Sequence, residues 1–199
     1  KREGRRKALA TKNATPGKLF SDEDTFVIGK DEFRIWEPKH SKLSAALVKG
    51  LQSPLQKNTK VLYLGAAHGQ TVSHIADIVE KGVIVAVEIA PLVTRDLVLL
   101  AEQRKNILPV LADAAHPEQY YHAVPAVDVL YQDVAQRNQV EIFLKNADLF
   151  LKPGGYGLLA IKARSIDVTK KPSFIFEDVR NKLKGKLKVV DQKNLEPFQ

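Results

Sequence analysis

The chain of 199 residues contains neither cysteine nor methionine. Without cysteine there are no disulfides, thiolate metal sites or cysteine nucleophiles, and a reducing compartment stays open. Without even an initiating methionine, the sequence is expected to be part of a longer reading frame. No run of about 18 apolar residues is present, so no membrane span or membrane partner is expected. Nor does a charged-then-apolar leader precede a small-residue cleavage site, and a soluble, intracellular protein is expected. His40, His116 and His122 are dispersed without metal-ligand spacing, so no metal site is expected, and His74 reads as structural.

What is present is enough apolar content, 44%, to bury one full core. The charge is unevenly placed. Residues 1–60 carry 14 Lys and Arg against 7 Asp and Glu, residues 61–151 carry 6 against 11, and residues 152–199 carry 11 against 5. Two basic ends flank an acidic middle. Clustered Lys and Arg are the footprint of a polyanion partner, although solvated termini have the same composition.

Residues 1–36 hold short β-prone runs, ALAT, TFVIG and EFRIW, separated by Thr-Pro-Gly and Gly-Lys-Asp turn signals. They read as a small antiparallel β unit. Pro38 breaks the run and Ser41 is placed to cap a helix, SKLSAALVKGL, so that residues 1–55 form a β-rich unit with a connecting helix. From Lys60 onward apolar runs recur: VLYLG (61–65), VIVAVEI (83–89), ILPVLAD (107–113), VDVLYQD (127–133) and YGLLAIK (156–162). Helix-like segments at 71–80, 91–104, 117–123 and 138–151 separate them, the last closed by Pro153-Gly154-Gly155. Continuous apolar strands alternating with helices make βαβ units. Residues 56–199 are therefore predicted to form a doubly wound α/β domain with a mostly parallel sheet.

Ligands in such folds gather beyond the carboxyl ends of the strands, where strand order reverses. The residues at those places are Gly65 to Thr71, Glu88 with Ile89, Asp113 with Ala114, Asp133 to Gln136, and Lys162 to Ser165. Gly65 and Gly69 would let the backbone approach a ligand, with the small Ala67 between them. A dinucleotide fingerprint needs G-x-G-x-x-G, and the corresponding positions here read Gly65, Ala67 and Gln70. Glu88, about 20 residues on, is placed to accept both hydroxyls of a ribose. Asp113 would lie within reach of an adenine amino group, and Asp133 ends the fourth strand. Three acids at successive strand ends suit a cationic nucleoside such as S-adenosyl-L-methionine, with Gly65, Ala67, Gly69, Gln70, Thr71, Glu88, Ile89, Asp113, Ala114, Asp133 and Gln136 as candidate contacts.

The strings LYLGAAHGQTVSH, DVLYQDVAQ, GYGLLAIKARSIDVTK and WEPKHSKLSAAL together resemble archaeal fibrillarin, over nearly the whole chain. The resemblance implies a Rossmann-like methyltransferase that uses S-adenosyl-L-methionine to methylate RNA ribose 2′-hydroxyls. It would act on rRNA, and on tRNA, within a box C/D guide ribonucleoprotein. Its implied partners are guide RNA, target RNA, a Nop-family scaffold protein and a kink-turn-binding ribosomal-type protein. Its location would be the cytoplasm in an archaeon and the nucleolus in a eukaryote. Lys42, Asp133 and Lys162 match three members of the Lys-Asp-Lys-His set typical of this class. Asp133 is the carboxylate best placed for proton or electrostatic work, and Lys162 follows the fifth strand into the same crevice. Lys42 stands at a helix start, where its charge opposes the helix dipole.

Fibrillarins follow their Glu-Pro-aromatic segment with an Asp-His pair and a final strand, whereas this sequence ends at Glu196-Pro197-Phe198-Gln199. The methyltransferase domain is thus expected to be incomplete at its C-terminal end. Residues 187–195 would be a strand lacking its neighbour, poorly ordered or prone to pair with another chain. His68 and Gln70 also depart from the family, which usually has a small residue and a threonine there. Arg164 and Lys170, on the loop after Lys162, are candidate RNA contacts, as is the REGRRK cluster. No aromatic platform is interleaved with the basic residues, which favours backbone holding with sequence reading delegated to a guide. Two rivals share parts of the pattern. One is a catalytically silent RNA-binding or scaffold subunit, and the other is a nicotinamide-dependent oxidoreductase, disfavoured by the missing third glycine.

Overall fold

The computed structural model describes residues 9–20 and 23–199. The REGRRK cluster lies outside the described residues. β1 (Ala10–Lys12), β2 (Thr25–Ile28) and β3 (Asp31–Ile35) form an antiparallel sheet in the order β1-β3-β2. After it comes α1 (Lys42–Val48), capped by the Ser41 hydroxyl, which accepts from the Ser44 N–H. The Ser44 hydroxyl in turn donates to the Trp36 carbonyl at 2.6 Å, which fixes the angle between β3 and α1.

The main sheet holds β4 (Lys60–Leu64), β5 (Val83–Glu88), β6 (Ile107–Leu111), β7 (Val127–Gln132) and β8 (Leu151–Leu159), all parallel, in the order β6-β5-β4-β7-β8. The apolar runs of the central strands β4, β5 and β7 are buried on both faces, whereas the edge strands β6 and β8 are partly exposed. Val61, Tyr63, Ile84 and Ala86 pack against α1, α2 (Gln70–Ile78) and α3 (Pro91–Gln103). Leu62, Leu64, Val85 and Val87 pack on the other face with Ile142, Phe143 and Phe150 of α4 (Gln139–Phe150). This is the doubly wound arrangement that the alternation predicts. The chain builds outward from β4 to β6 and then returns to β7 on the other side of β4, so strand order reverses between β4 and β7.

Several boundaries differ from the sequence reading. Residues 117–123 form two 3₁₀ turns in place of a helix. β8 begins at Leu151, so that the Pro-Gly-Gly step lies within a strand whose register with β7 shifts between Val127 and Val129. Edge position makes this tolerable, because Pro153 need not donate to a second neighbour. Residues 187–195 form no strand. Asp191 there accepts from its neighbour's N–H at 2.7 Å and pairs with Lys193, local bonds that replace a ladder. Arg164 lies on the one-turn helix α5 (Ala163–Ile166) and only Lys170 is in the loop; α6 (Pro172–Lys184) follows.

The N-terminal sheet is fastened to the main core through buried polar groups. Asp77 of α2 accepts from Arg104 at 3.1 Å, from Thr11 of β1 at 2.8 Å and from the Ala14 N–H at 3.1 Å, and it lies 3.5 Å from Arg34 of β3. Arg34 also pairs with Glu23 at 2.7 Å and donates to Ser73 at 2.7 Å. His74 stacks on Trp36, ring centroids 5.0 Å apart, and its Nδ1 lies 2.9 Å from the Thr11 hydroxyl. Thr11 donates to Asp77, so the neutral imidazole is assigned its proton on Nδ1, directed at the Thr11 oxygen.

Burial, followed by the charges of Arg34 and Arg104, lowers the His74 pKa to about 3. The unfolded chain protonates this histidine below its ordinary value of about 6.5, while the folded protein keeps it neutral. Its contribution therefore weakens stability as pH falls, by about 2 kcal/mol between roughly pH 7 and pH 5, above the range where most carboxylates titrate. His74→Asn, which offers an amide donor toward Thr11 and removes the titration, is expected to abolish that part of the wild-type decline in unfolding free energy, read by urea denaturation at about pH 7 and pH 5. Equal slopes in both proteins would disprove the assignment.

Candidate active site

The crevice at the switch point is built from the residues just past each strand. β4 ends in a turn with Gly65, Ala67 and Gly69 all at positive φ, +77°, +50° and +95°. Gly65 and Gly69 are required by the protein itself. A Cβ on Gly65 would lie 2.7 Å from the Asp133 carbonyl, and one on Gly69 would lie 2.8 Å from both Leu97 and Leu100. Ala67, the non-glycine member, bears the conformational cost of the left-handed region, on the order of 1–2 kcal/mol. Its N–H donates to Glu88 at 2.9 Å.

Glu88 ends β5 with both oxygens directed by the backbone. Oε2 accepts from Ala67, and Oε1 accepts from the N–H groups of Ile89 and Ala90, each at 3.0 Å. Next to it Ile89 presents an apolar side chain that is 53% exposed. Asp113, past β6, is half-buried and accepts from the Ala115 N–H at 2.9 Å, with the buried Ala114 between them. Seven of the candidate cofactor residues, Gly65, Ala67, Gly69, Glu88, Ile89, Asp113 and Ala114, therefore lie in one row across the ends of β4, β5 and β6.

Asp133 follows β7, its N–H bonded to the Leu64 carbonyl at 2.9 Å. Lys42, the first residue of α1, reaches it from 91 positions away, with Nζ 2.9 Å from Oδ2. Both side chains are mostly buried, at 17% and 16% exposure. The other oxygen, Oδ1, is buried without a hydrogen-bond partner among the described residues. Beneath this pair Tyr63 and Tyr131 contact each other, ring centroids 4.6 Å apart. Burial above all, and the Asp133 charge to a smaller degree, pushes both phenols well above their ordinary range. Thr71, on α2, donates to Ser41 at 3.0 Å and so ties the glycine-turn helix to the start of α1.

Lys162 lies three residues past β8, next to the Asp133 seam, since Gln132 pairs with Leu159 and the Ala160 N–H bonds the Gln132 carbonyl. Its side chain is exposed and forms no hydrogen bond or ion pair with the described residues. Its backbone is held firmly. The buried Gln139 accepts from the Lys162 N–H at 3.1 Å and donates to its carbonyl at 3.3 Å and to the Gln136 carbonyl at 2.8 Å. Gln132 secures Gln139 from below at 2.6 Å. The sequence reading passed over both glutamines. Buried amides inside an otherwise apolar strand and at a helix start were the available signal. His68 turns to Asp96 of α3 at 2.7 Å, whereas Gln70 is half-buried as the first residue of α2. No cluster of three or more metal-ligating side chains is found among the described residues. Nor is any helix there long and apolar enough to cross a membrane.

Two lysines and an aspartate, from a helix start and two adjacent strand ends, thus stand beside a row of acids suited to a nucleoside. The family model described as Fibrillarin matches residues 1–199. The chain belongs to the fibrillarin family. A fibrillarin-like rRNA/tRNA 2′-O-methyltransferase of Methanocaldococcus jannaschii is 51% identical over 195 residues, covering 97% of this chain and 85% of that one. Among solved structures, Aeropyrum pernix fibrillarin with natively bound S-adenosyl-L-methionine is similar at 47% identity and a TM-score of 0.89, over 96% of this chain and 84% of that one. A fibrillarin in complex with Nop5p is similar at 41% identity and a TM-score of 0.89, over 96% and 89%. As a fibrillarin, the chain departs from the nicotinamide-dependent reading, and its incomplete glycine fingerprint agrees with that.

Proposed function

We propose that this chain is an S-adenosyl-L-methionine-dependent RNA 2′-O-methyltransferase that acts on rRNA, and on tRNA, under the direction of a box C/D guide RNA. The observation that carries the reading is the Lys42–Asp133 pair at the switch point of a fibrillarin fold, 2.9 Å long and largely withdrawn from water. A charged pair with an unpartnered buried carboxylate oxygen is costly to keep, and such groups concentrate where chemistry uses them.

The residues present fit the cofactor. Glu88, its carboxylate held by three backbone N–H groups, is oriented for the ribose hydroxyls, and the exposed Ile89 offers an apolar face to the base. Asp113 and Ala114 would meet the adenine edge. Gly65, Ala67, Gly69, Gln70, Thr71, Asp133 and Gln136 would line the remainder of the molecule. When bound, S-adenosyl-L-methionine supplies an electrophilic methyl on a sulfonium. The chain's own task is to hold the 2′-hydroxyl in line and to stabilise the charge that develops on its oxygen. Asp133 fixes the Lys42 ammonium at the crevice floor as a donor toward that oxygen. Lys162, held by its backbone through Gln139, presents a second cation from the adjacent strand end.

In an archaeal cell the enzyme would work in the cytoplasm with guide RNA, a Nop-family scaffold protein and a kink-turn-binding ribosomal-type protein. Arg164 and Lys170 would contact RNA phosphates. The test is incorporation of labelled methyl into a guide-paired target, with alkali resistance of the product locating it on the 2′-oxygen. Wild type is expected to transfer methyl, and Lys162→Ala to lose on the order of tenfold to a hundredfold in rate at saturating RNA. No incorporation by the assembled wild-type complex would leave the silent-subunit reading standing, and equal rates in both would remove Lys162 from the machinery.

A further inference from the structure

Gln132 is the last residue of β7 and Gln139 the first of α4, and both are fully enclosed, at 0% exposure. Glutamine is rarely withdrawn completely from water unless its amide is used. Both ends of the Gln139 amide are spent on main chain. Oε1 accepts from the Lys162 N–H at 3.1 Å, and Nε2 donates to the Lys162 carbonyl at 3.3 Å and to the Gln136 carbonyl at 2.8 Å. One partner group is a donor and two are acceptors, which fixes the orientation of the amide.

The two residues it holds belong to different loops. Gln136 lies in the segment that follows β7, whereas Lys162 lies in the one that follows β8. Among the described residues no main-chain hydrogen bond joins residues 133–138 to residues 161–166, so the amide bridges what the backbone leaves apart. The grip on Lys162 is two-sided. Its N–H and C=O flank its Cα, and holding both on one planar amide fixes φ and ψ, here −94° and 93°, and with them the direction of the Cα–Cβ bond. The Ser165 N–H adds a bond to the same carbonyl at 3.0 Å. The lysine stem is thus rooted in a set direction, although its ammonium forms no hydrogen bond or ion pair with the described residues. Gln132 ties the bridge to the sheet: its Nε2 donates to the Gln139 carbonyl at 2.6 Å, and its own carbonyl accepts from the Ala160 N–H at 2.9 Å.

We propose that Gln139 is a positioning residue that couples the cofactor loop to Lys162, so that residues 133–136, ordered around S-adenosyl-L-methionine, set the root of the lysine through one shared amide. The role deepens the proposed function and rests on it. A buried amide hydrogen left without a partner is costly, so when the Gln136 carbonyl shifts the amide follows it and carries the Lys162 main chain along. The bonds on Lys162 are short enough to transmit such a shift, and a displacement of about 1 Å in a catalytic group can cost about a hundredfold in rate. Asp133 and Gln136 would thereby report an occupied cofactor site to a lysine on the neighbouring strand end.

The test begins with the full chain and S-adenosyl-L-methionine in the absence of RNA, where no transfer occurs. Hydrogen exchange at the Lys162 N–H, followed by NMR, is expected to slow about tenfold on saturation with the cofactor, in excess of any change at the Trp36 N–H, which bonds the Leu9 carbonyl. Gln139→Met, of similar length but without the amide, should still bind the cofactor, its Kd raised by less than about tenfold, and should lose this dependence. In the complex with guide RNA and its two protein partners, the same variant should lower kcat about tenfold to a hundredfold and leave the KM for target RNA within about threefold of wild type. Gln139→Glu keeps an acceptor for the Lys162 N–H and sets an oxygen against the two carbonyls. A buried carboxyl takes up its proton above the usual range and then regains a donor, so the kcat of Gln139→Glu relative to wild type should rise as pH falls from about 8.5 to about 6. Exchange at Lys162 that ignores the cofactor in the wild type overturns the coupling, whether or not Gln139→Met folds. So does equal cofactor dependence in wild type and Gln139→Met, or a kcat of Gln139→Met within about threefold of wild type. Coupled exchange in a chain whose assembled complex transfers no methyl upholds the coupling and rejects the activity; methyl transfer without coupled exchange does the reverse.

Discussion

Asp133→Asn is expected to reduce methyl transfer by at least about a hundredfold while the protein remains folded and its affinity for S-adenosyl-L-methionine changes by less than about tenfold. The substitution preserves shape and removes charge. An amide presents no net charge to the Lys42 ammonium now 2.9 Å from Oδ2, and its NH₂ end faces a cation if it turns that way. Lys42 is then free to leave the crevice floor, and the developing charge on the ribose oxygen loses its nearest fixed donor. Folding should suffer little, because the Lys42 side chain, 17% exposed in the pair, can carry its ammonium out to water and is not left buried without a counter-ion as the charges around Asp77 would be. The cofactor should stay bound because Glu88 keeps its three backbone donors, none of which involves Asp133. Lys42→Met would leave the opposite defect, a carboxylate without its counter-ion, and should also be slow. Single-turnover rates at saturating cofactor and RNA decide the matter: an Asp133→Asn enzyme retaining more than a tenth of the wild-type rate would remove the pair from catalysis.

The sequence announced this site unevenly. Strand ends were legible because apolar runs stop where a parallel sheet stops, which brought Glu88, Asp113 and Asp133 to one edge of the fold. Gly65 and Gly69 were legible as a turn, but the reason for them was not. Their missing Cβ atoms make room for the Asp133 carbonyl and for Leu97 and Leu100, contacts with segments 28 or more positions away. The pairing of Lys42 with Asp133 has no local signature at all and came from resemblance alone. α6 had a regular stripe, Ile175, Val179 and Leu183, that the density of lysines hid. Phe174 shows the limit in another way: beside Ile175 and Phe176 it reads as core, and only the direction of the helix shows that it faces out.

Asp77→Ala is expected to cost about 3–5 kcal/mol in unfolding free energy, with a fall in Tm of roughly 10 °C. Nothing in the sequence of α2 marks this residue out from an ordinary helical aspartate. In the folded protein its carboxylate stands between Arg34 and Arg104, whose side chains are at most 2% exposed, and it also accepts from Thr11 and the Ala14 N–H. Burial already lowers the Arg104 pKa, with Asp77 acting against that shift. Without Asp77 two buried guanidinium groups would face each other, with Glu23 left to balance Arg34. Arg104→Met in the same chain should recover part of the loss, since it removes the uncompensated charge, so the double variant should be less destabilised than the two single changes together. A loss below about 1 kcal/mol by urea denaturation would show that the carboxylate is dispensable. The damage should also reach the chemistry. β1 and β3 are fastened to α2 through Asp77, and β3 leads through Trp36 to α1 and Lys42. An N-terminal sheet loosened on α2 would release Lys42 from Asp133 before the parallel sheet opened, so in Asp77→Ala methyl transfer should fail at a lower temperature than global unfolding.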